Sequence, residues 1–388
     1  MKKIFIIFVA FVFVTSCKSV DVFSSGNVFS DKPIERVEIN YFQNLPLVKV
    51  EINGKEYNFL FDTGAPTVIS TEVYAELGLN PAYERNVGDS QNNHNKQIFT
   101  ILPEMKVGNL EYKNIGCVVL DLKDFEFKCI GVDGILGANQ MAFSFWKVDY
   151  LNGFAEVSSN LSDFDISDYD FTLSFSPKPQ KTPLIEFTTL GQKRSLTFDT
   201  GYSGRIKMIS NDALINEIAN REKYKISGIT SVGAYGAGNY SEEYSFKTNE
   251  MELGGISFSD EVIETGKSTL LGNEFLKEFV FVMDWKSNKI YFKRVQDKKE
   301  PTKSFGFGNR YINDKLEVTV VVNKENNPVQ LGDIILKMNG KSFENLTYDE
   351  QCESYLNKIE KEVDVLDLII QRGDSIHNFT LEKKSYFE

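Results

Sequence analysis

Apolar and polar residues alternate along Val37–Phe42 and Leu47–Ile52, the pattern of strands buried on one face. Asn53-Gly54 follows as a two-residue hairpin turn, and Tyr57–Phe61 reads as the returning strand. Ser70 suits the N-cap of a short helix that runs to Leu77 and stops at Gly78. The polar stretch Val87–Gln97 carries little order signal, and strand patterning resumes at Ile98–Leu102 and Cys117–Leu120. Ala138–Trp146 is expected to be a short helix, with a strand at Gly153–Val157. A similar succession then returns: strands at Leu184–Phe187 and Ser195–Phe198, a longer helix over Asn211–Lys223, and strands around Phe246–Leu253 and Lys289–Phe292. Strands therefore dominate, with few helices.

The second pass is a copy of the first. Leu47, Gly54 and Asp62 correspond to Leu184, Gly191 and Asp199, each pair 137 residues apart. Phe61-Asp62-Thr63-Gly64 recurs as Phe198-Asp199-Thr200-Gly201, and Ile69-Ser70 has a looser echo in Ile209-Ser210. An apolar pair followed by glycine comes later in each copy, Ile135-Leu136-Gly137 and Leu270-Leu271-Gly272. Twelve residues past each glycine stands an aspartate, Asp149 or Asp284. Repeated order at repeated spacing marks two copies of one structural unit. Each Asp-Thr-Gly ends a strand-like run and so places a carboxylate on a tight turn. Two such turns face to face would bring two carboxylates together, and a pair that close shares a proton and serves as acid and base at once.

On these motifs, the chain from about Glu38 to Arg294 resembles the pepsin and retropepsin superfamily of aspartic peptidases. The resemblance implies an all-β body with two lobes, residues 37–165 and 166–294, and Pro177–Pro183 marks their boundary region. It is similar to a retropepsin dimer drawn as a single chain, hence a monomer with a pseudo-two-fold catalytic body. It implies that Asp62 and Asp199 hold a water that attacks a peptide carbonyl. Thr63 and Thr200 would interlock the two loops, while Gly64 and Gly201 would let backbone N–H groups approach the carboxylates. No metal or cofactor is required. Members of the family cover the cleft with a mobile hairpin; the candidates here are Val87–Gln97 and the glycine-rich Gly228–Tyr240, which is either a flap whose Tyr235 contacts substrate or a flexible surface loop. Ala65 and Tyr202 follow the two motifs where pepsins have a small hydroxyl residue. Without that hydrogen bond to the charged form the pair should be less acidic, giving an optimum from weakly acidic to neutral pH.

A net charge of −12 argues against nucleic acid as a partner. His94 and His377 are the only histidines and lie in no catalytic or metal-binding motif. Lys2-Lys3, an apolar run from Ile4 to Val14 and then Thr15-Ser16-Cys17 form an export signal. Its end resembles a bacterial lipobox, which implies cleavage before a lipidated Cys17 and a lipid-anchored protein of the cell envelope, with residues 18–36 as tether. Cys117, Cys129 and Cys352 remain; export would permit a Cys117–Cys129 disulfide, but buried free thiols are the expectation.

Residues 295–303 read as a charged linker. Beyond them, Gly332-Asp333-Ile334-Ile335-Leu336-Lys337-Met338-Asn339-Gly340-Lys341 resembles the strand–turn of bacterial PDZ domains. Ser304-Phe305-Gly306-Phe307 resembles their carboxylate-binding loop, Thr347–Leu356 the helix beside the peptide groove and Val363–Gln371 a late strand. A PDZ-like α+β domain over 304–388 would bind C-terminal peptides to recruit substrate or regulate cleavage, or would only pack against the catalytic body. The expected function is thus that of a lipid-anchored aspartic endopeptidase acting on peptide or protein substrates. The alternatives are a catalytically silent peptide-binding or scaffold lipoprotein of the same fold, and an enzyme confined to its own chain or one dedicated partner.

Overall fold

A computed structural model describes residues 22–88, 94–233, 236–297, 303–323 and 326–387. The chain is mostly β, with few short helices. Six antiparallel strands form a sheet shared by the two repeats, in the order Ile34–Glu38, Phe154–Ser158, Phe145–Asp149, Phe279–Asp284, Lys289–Arg294 and Phe171–Pro177. The order reads alike from either edge, so the pseudo-two-fold axis passes between Phe145–Asp149 and Phe279–Asp284, where Trp146 faces Met283. The repeated aspartates cap matching turns. Asp149 Oδ1 accepts the Asn152 amide at 3.0 Å, and Asp284 Oδ1 accepts that of Ser287 at 2.9 Å.

Each motif turn is tied down by the same local topology. Strand Lys55–Asp62 runs parallel to Gly134–Gly137, which in turn pairs antiparallel with Val68–Ile69. In the second repeat, Leu270–Leu271 lies between Thr197–Phe198 and Ile206–Lys207 in the same two senses. The Phe before each aspartate is fully buried, Phe61 against Trp146 at 5.2 Å and Phe198 against Phe281 at 5.3 Å. Burial of such a side chain contributes about 1.5–3 kcal/mol, so the turns rest on one continuous core. The glycine ending each apolar pair is needed for close approach. A Cβ on Gly137 would lie 2.1 Å from the Pro66 carbonyl carbon, and one on Gly272 2.5 Å from the Gly204 and Tyr202 oxygens.

Local signals were read correctly where they were strong. Asn53 and Gly54 both have positive φ, 51° and 77°, as the hairpin turn requires. Ser70 Oγ accepts the Val73 amide at 3.2 Å and caps helix Thr71–Glu76. Elsewhere tertiary pairing overrides the pattern. The expected helix Ala138–Trp146 ends at Met141, because Phe145–Asp149 is drawn into the central sheet. The helix expected over Asn211–Lys223 spans only Asp212–Glu217, since Lys223–Gly228 is a strand paired on both edges. Val87–Gln97 falls on a long hairpin made by Pro81–Gly88 and His94–Val107; residues 89–93 lie outside the described residues. Pro177 pairs with Pro183 and closes a hairpin, so this stretch is a turn between paired strands.

Of the tether expected over residues 18–36, residues 22–36 fold onto the body, and 18–21 lie outside the described residues. Val22 is fully buried, Asn27–Phe29 pairs with Glu111–Lys113, and Ile34–Glu38 is a central-sheet strand. Cys17, residues 298–302 of the linker and Tyr235 lie outside the described residues. No helix among the described residues is long and apolar enough to cross a membrane.

The C-terminal unit, residues 303–387, has its own core around Val318, Val321, Ile335, Leu366, Leu368 and Ile370. Helix Tyr348–Leu356 begins with a capping box between Thr347 and Glu350. Buried Asp333 accepts two hydrogen bonds from Arg372, both at 2.7 Å, and one from the Gln330 amide, which fixes the Gly332-Asp333 turn. The channel between strand Phe307–Ile312 and the helix is bridged by the hydroxyls of Tyr311 and Ser354 at 2.6 Å, and Asn309 donates to Glu360 of the following short helix Ile359–Glu362 at 3.2 Å. Cys129 and Cys352 form a disulfide, and Cys117 is a buried free thiol. The expectation of buried free thiols therefore holds for Cys117 alone, and the permitted Cys117–Cys129 disulfide does not form, because folding brings Cys352 to Cys129 from 223 residues away.

Candidate active site

The two Asp-Thr-Gly turns meet on the pseudo-two-fold axis and interlock through their threonines. Thr63 N–H donates to Thr200 Oγ1 at 2.9 Å, and Thr200 N–H donates to Thr63 Oγ1 at 3.1 Å. Each hydroxyl then donates across the interface, Thr63 to the Phe198 carbonyl and Thr200 to that of Phe61, both at 2.8 Å. Four buried bonds thus fix the turns relative to each other, and every polar atom of the lock is satisfied. Each glycine makes room for the opposite carboxylate. A Cβ on Gly64 would lie 2.5 Å from Asp199 Cγ, and one on Gly201 would lie 2.3 Å from Asp62 Cγ. Any side chain there would push the carboxylates apart.

Within its own turn, Asp62 Oδ1 accepts the Gly64 amide at 2.6 Å, and Asp199 Oδ1 accepts the Gly201 amide at 2.9 Å. The outer edge of each loop is closed alike: the Ala138 amide donates to the Ala65 carbonyl at 2.9 Å, and the Asn273 amide to that of Tyr202 at 2.8 Å.

The electrostatics are less symmetric than the backbone. Burial raises the pKa of Asp62, opposed chiefly by the Gly64 amide and then by the hydrogen bond from Asp199. Burial also raises Asp199, well above the ordinary carboxylate range, and the charge of Asp62 and the hydrogen bond to it push further in the same direction. Burial raises both groups and the charge of one opposes ionisation of the other, so the pair holds one proton between them.

Two aromatic residues complete the surroundings. Tyr202 folds back along Gly204 and Gly272, and its hydroxyl donates to Glu264 at 3.3 Å. Tyr150, absent from the sequence reading, is buried within electrostatic reach of both carboxylates and stacks on Tyr41 with ring centroids 4.7 Å apart. Its only sequence signal is its place directly after the repeated aspartate, where the second copy has Trp285. Asn273 was missed as well; its amide group donates to the Thr200 and Asn44 carbonyls at 2.7 and 2.8 Å, locking the second loop to the first lobe. Among the described residues no cluster of three or more His, Cys, Asp or Glu side chains could hold a metal ion.

Comparison with known families gives a match to a family model described as aspartyl protease, over residues 48–140. The match spans the first Asp-Thr-Gly and its Ile-Leu-Gly strand and supports a protease; it covers less than half of the chain. No curated protein matches the sequence.

Proposed function

We propose that the protein is an aspartic endopeptidase in which Asp62 and Asp199 activate a water for attack on a peptide carbonyl. The observation that carries this reading is the interlocked pair of turns, with a glycine of each leaving space for the carboxylate of the other. Asp62, ionised, removes a proton from the water; Asp199, protonated, donates to the carbonyl oxygen as the tetrahedral intermediate forms. Both groups are raised by burial, so the one-proton state persists to higher pH than two ordinary carboxylates would allow. Activity rises as Asp62 ionises and falls as Asp199 loses its proton, which supports an optimum from weakly acidic to neutral pH.

Export and anchoring through Cys17 belong to the same proposal. The Cys129–Cys352 disulfide supports an oxidising compartment. With Val22 buried, only Lys18 to Asp21 separate Cys17 from the folded body, a reach of about 14 Å at full extension. The bridged channel of the C-terminal unit favours regulation over peptide recruitment.

The test is cleavage of a peptide library across pH by the purified protein and by its Asp62→Asn and Asp199→Asn variants. Cleavage abolished by either substitution supports the shared pair; unchanged cleavage in either defeats it. Peptide binding without cleavage in the unsubstituted protein would establish the silent scaffold instead.

A further inference from the structure

The C-terminal unit holds both lobes of the protease body. On the second lobe it extends a sheet: Ile226, Ser227 and Gly228 pair antiparallel with Val322, Val321 and Val320. Asn323 reinforces the end of this ladder, accepting the Lys225 amide at 3.0 Å and donating its own amide to the Lys225 carbonyl at 2.8 Å. Gly228 has φ +129°, and a Cβ there would sit 2.0 Å from the Thr319 carbonyl oxygen, so only glycine lets the strands meet. The strand Lys223–Gly228 is one arm of the hairpin that reaches Gly228–Tyr240, the flap candidate of the second lobe.

On the first lobe the same unit grips helix Phe125–Ile130. The Phe125 ring lies 5.3, 5.9 and 5.7 Å from those of Tyr311, Tyr348 and Tyr355. Beside this cage Arg310 pairs in two-pronged fashion with Glu126, at 2.6 and 2.8 Å. Cys129, on the same helix, is bonded to Cys352 on Tyr348–Leu356. Both cysteines are partly exposed, whereas the buried Cys117 thiol is pushed up to about 12 and is inert. At the other end of the bridge, Gly236 near the flap tip approaches Asp124, the residue before the gripped helix; a Cβ on it would lie 3.1 Å from the carboxylate.

We infer that Cys129–Cys352 is a thiol–disulfide exchange site for a dithiol, and that it latches the C-terminal unit across both lobes and so restrains the flap arm Lys223–Gly228. In the exchange, a thiolate of the dithiol attacks one cysteine sulfur and breaks the S–S bond, and the other cysteine leaves as thiolate and takes up a proton. The second thiol of the dithiol resolves the mixed disulfide, so Cys129 and Cys352 gain two electrons and the dithiol becomes a disulfide. The aromatic cage and the ion pair then hold the unit without a covalent tie. The latch stands independently of the proposed peptidase activity; its consequence for substrate binding rests on that reading.

Hydrogen exchange of the full-length Asp62→Asn protein, with and without dithiothreitol, tests the latch without self-cleavage. Reduction is expected to speed exchange about tenfold in Phe125–Ile130, Lys223–Gly228 and Tyr348–Leu356, and to leave Gly134–Gly137 and Leu270–Leu271 unchanged. Alkylation should then label Cys129 and Cys352 but not Cys117. Cys352→Ser introduced into this protein should exchange at the reduced rate under both conditions. In the unsubstituted enzyme, reduction should raise KM severalfold and change kcat less than twofold, because the carboxylate pair is built by the lobes alone. Exchange unaffected by reduction in those three segments, or a Cys352→Ser protein that still responds to dithiothreitol, overturns the latch. Absence of cleavage in every form, with the exchange response intact, overturns the peptidase reading and leaves the latch standing.

Discussion

The two repeats match where the chemistry is set and diverge where the loops are supported. Around Asp62 the loop is short and apolar, Ala65-Pro66-Thr67, and closes on the buried side chain of Asn139, whose Oδ1 accepts the Thr67 amide at 2.7 Å. Around Asp199 it runs through Tyr202-Ser203-Gly204 to Arg205, which is nearly buried and binds Glu261 in two-pronged fashion at 2.6 and 2.8 Å, then Glu278 at 2.6 Å. The first lobe's long hairpin pairs within that lobe, whereas the second lobe's is joined to the C-terminal sheet. Duplicated backbone geometry therefore suffices to pair two carboxylates, while the unequal surroundings decide which hairpin is restrained.

This comparison can be broken most decisively at the carboxylates. Asp62→Asn and Asp199→Asn should each lower kcat by about 10³-fold or more, since each removes one half of an acid–base pair. A single-turnover assay in which only one substitution matters would show that the turns do not act together. Next in size, Arg205→Ala should cost about 3 kcal/mol in denaturant unfolding, because it removes the two-pronged pair to buried Glu261 and one of the two arginines, with Arg294, that bind buried Glu278. The first loop carries no such ion pair among the described residues, so an equal loss on replacing Asn139 would erase the difference between the two loops.

The threonine lock tests symmetry itself. Thr63→Val and Thr200→Val each remove one hydroxyl that accepts one buried bond and donates another. Each should cost about 2–4 kcal/mol, by leaving a buried donor and a buried acceptor unpaired. Equal losses are expected; a difference above about 1 kcal/mol would mean that one lobe carries the lock.

The smallest effect depends on pH. Because the folded-state pKa of Asp199 is raised, its stabilising contribution is complete below the unfolded carboxylate pKa and is lost as pH rises through the folded value. Asp199→Asn removes this loss, so the variant should melt a few degrees above the parent at pH 7, the gain shrinking to nothing below about pH 4. A gain that instead grew toward low pH would reverse the assignment of the raised group.

Much of the site was legible because tight turns and close approaches constrain residue type strongly. Asp62 and Asp199, their threonines and glycines, and the two Leu-Gly strands could be aligned by spacing alone, and each has a local steric or hydrogen-bonding reason for its identity. Tyr150, Asn273 and Arg205 could not be found that way. Their roles depend on which element they pack against, and an aromatic, amide or guanidinium side chain fits many places in a β-protein. Helix lengths failed for a related reason: Phe145–Asp149 and Lys223–Gly228 became strands because partners distant in sequence supplied their hydrogen bonds.

The sequence by itself determined a duplicated, strand-rich body and the residue types of its paired turns, since short-range sterics and period-two burial are written in consecutive residues. Only the tertiary structure decided that residues 22–36 fold onto the body, that burial raises both carboxylates, and that Cys129 joins Cys352. Those outcomes depend on burial and on contacts between segments far apart in the chain, which no local pattern encodes.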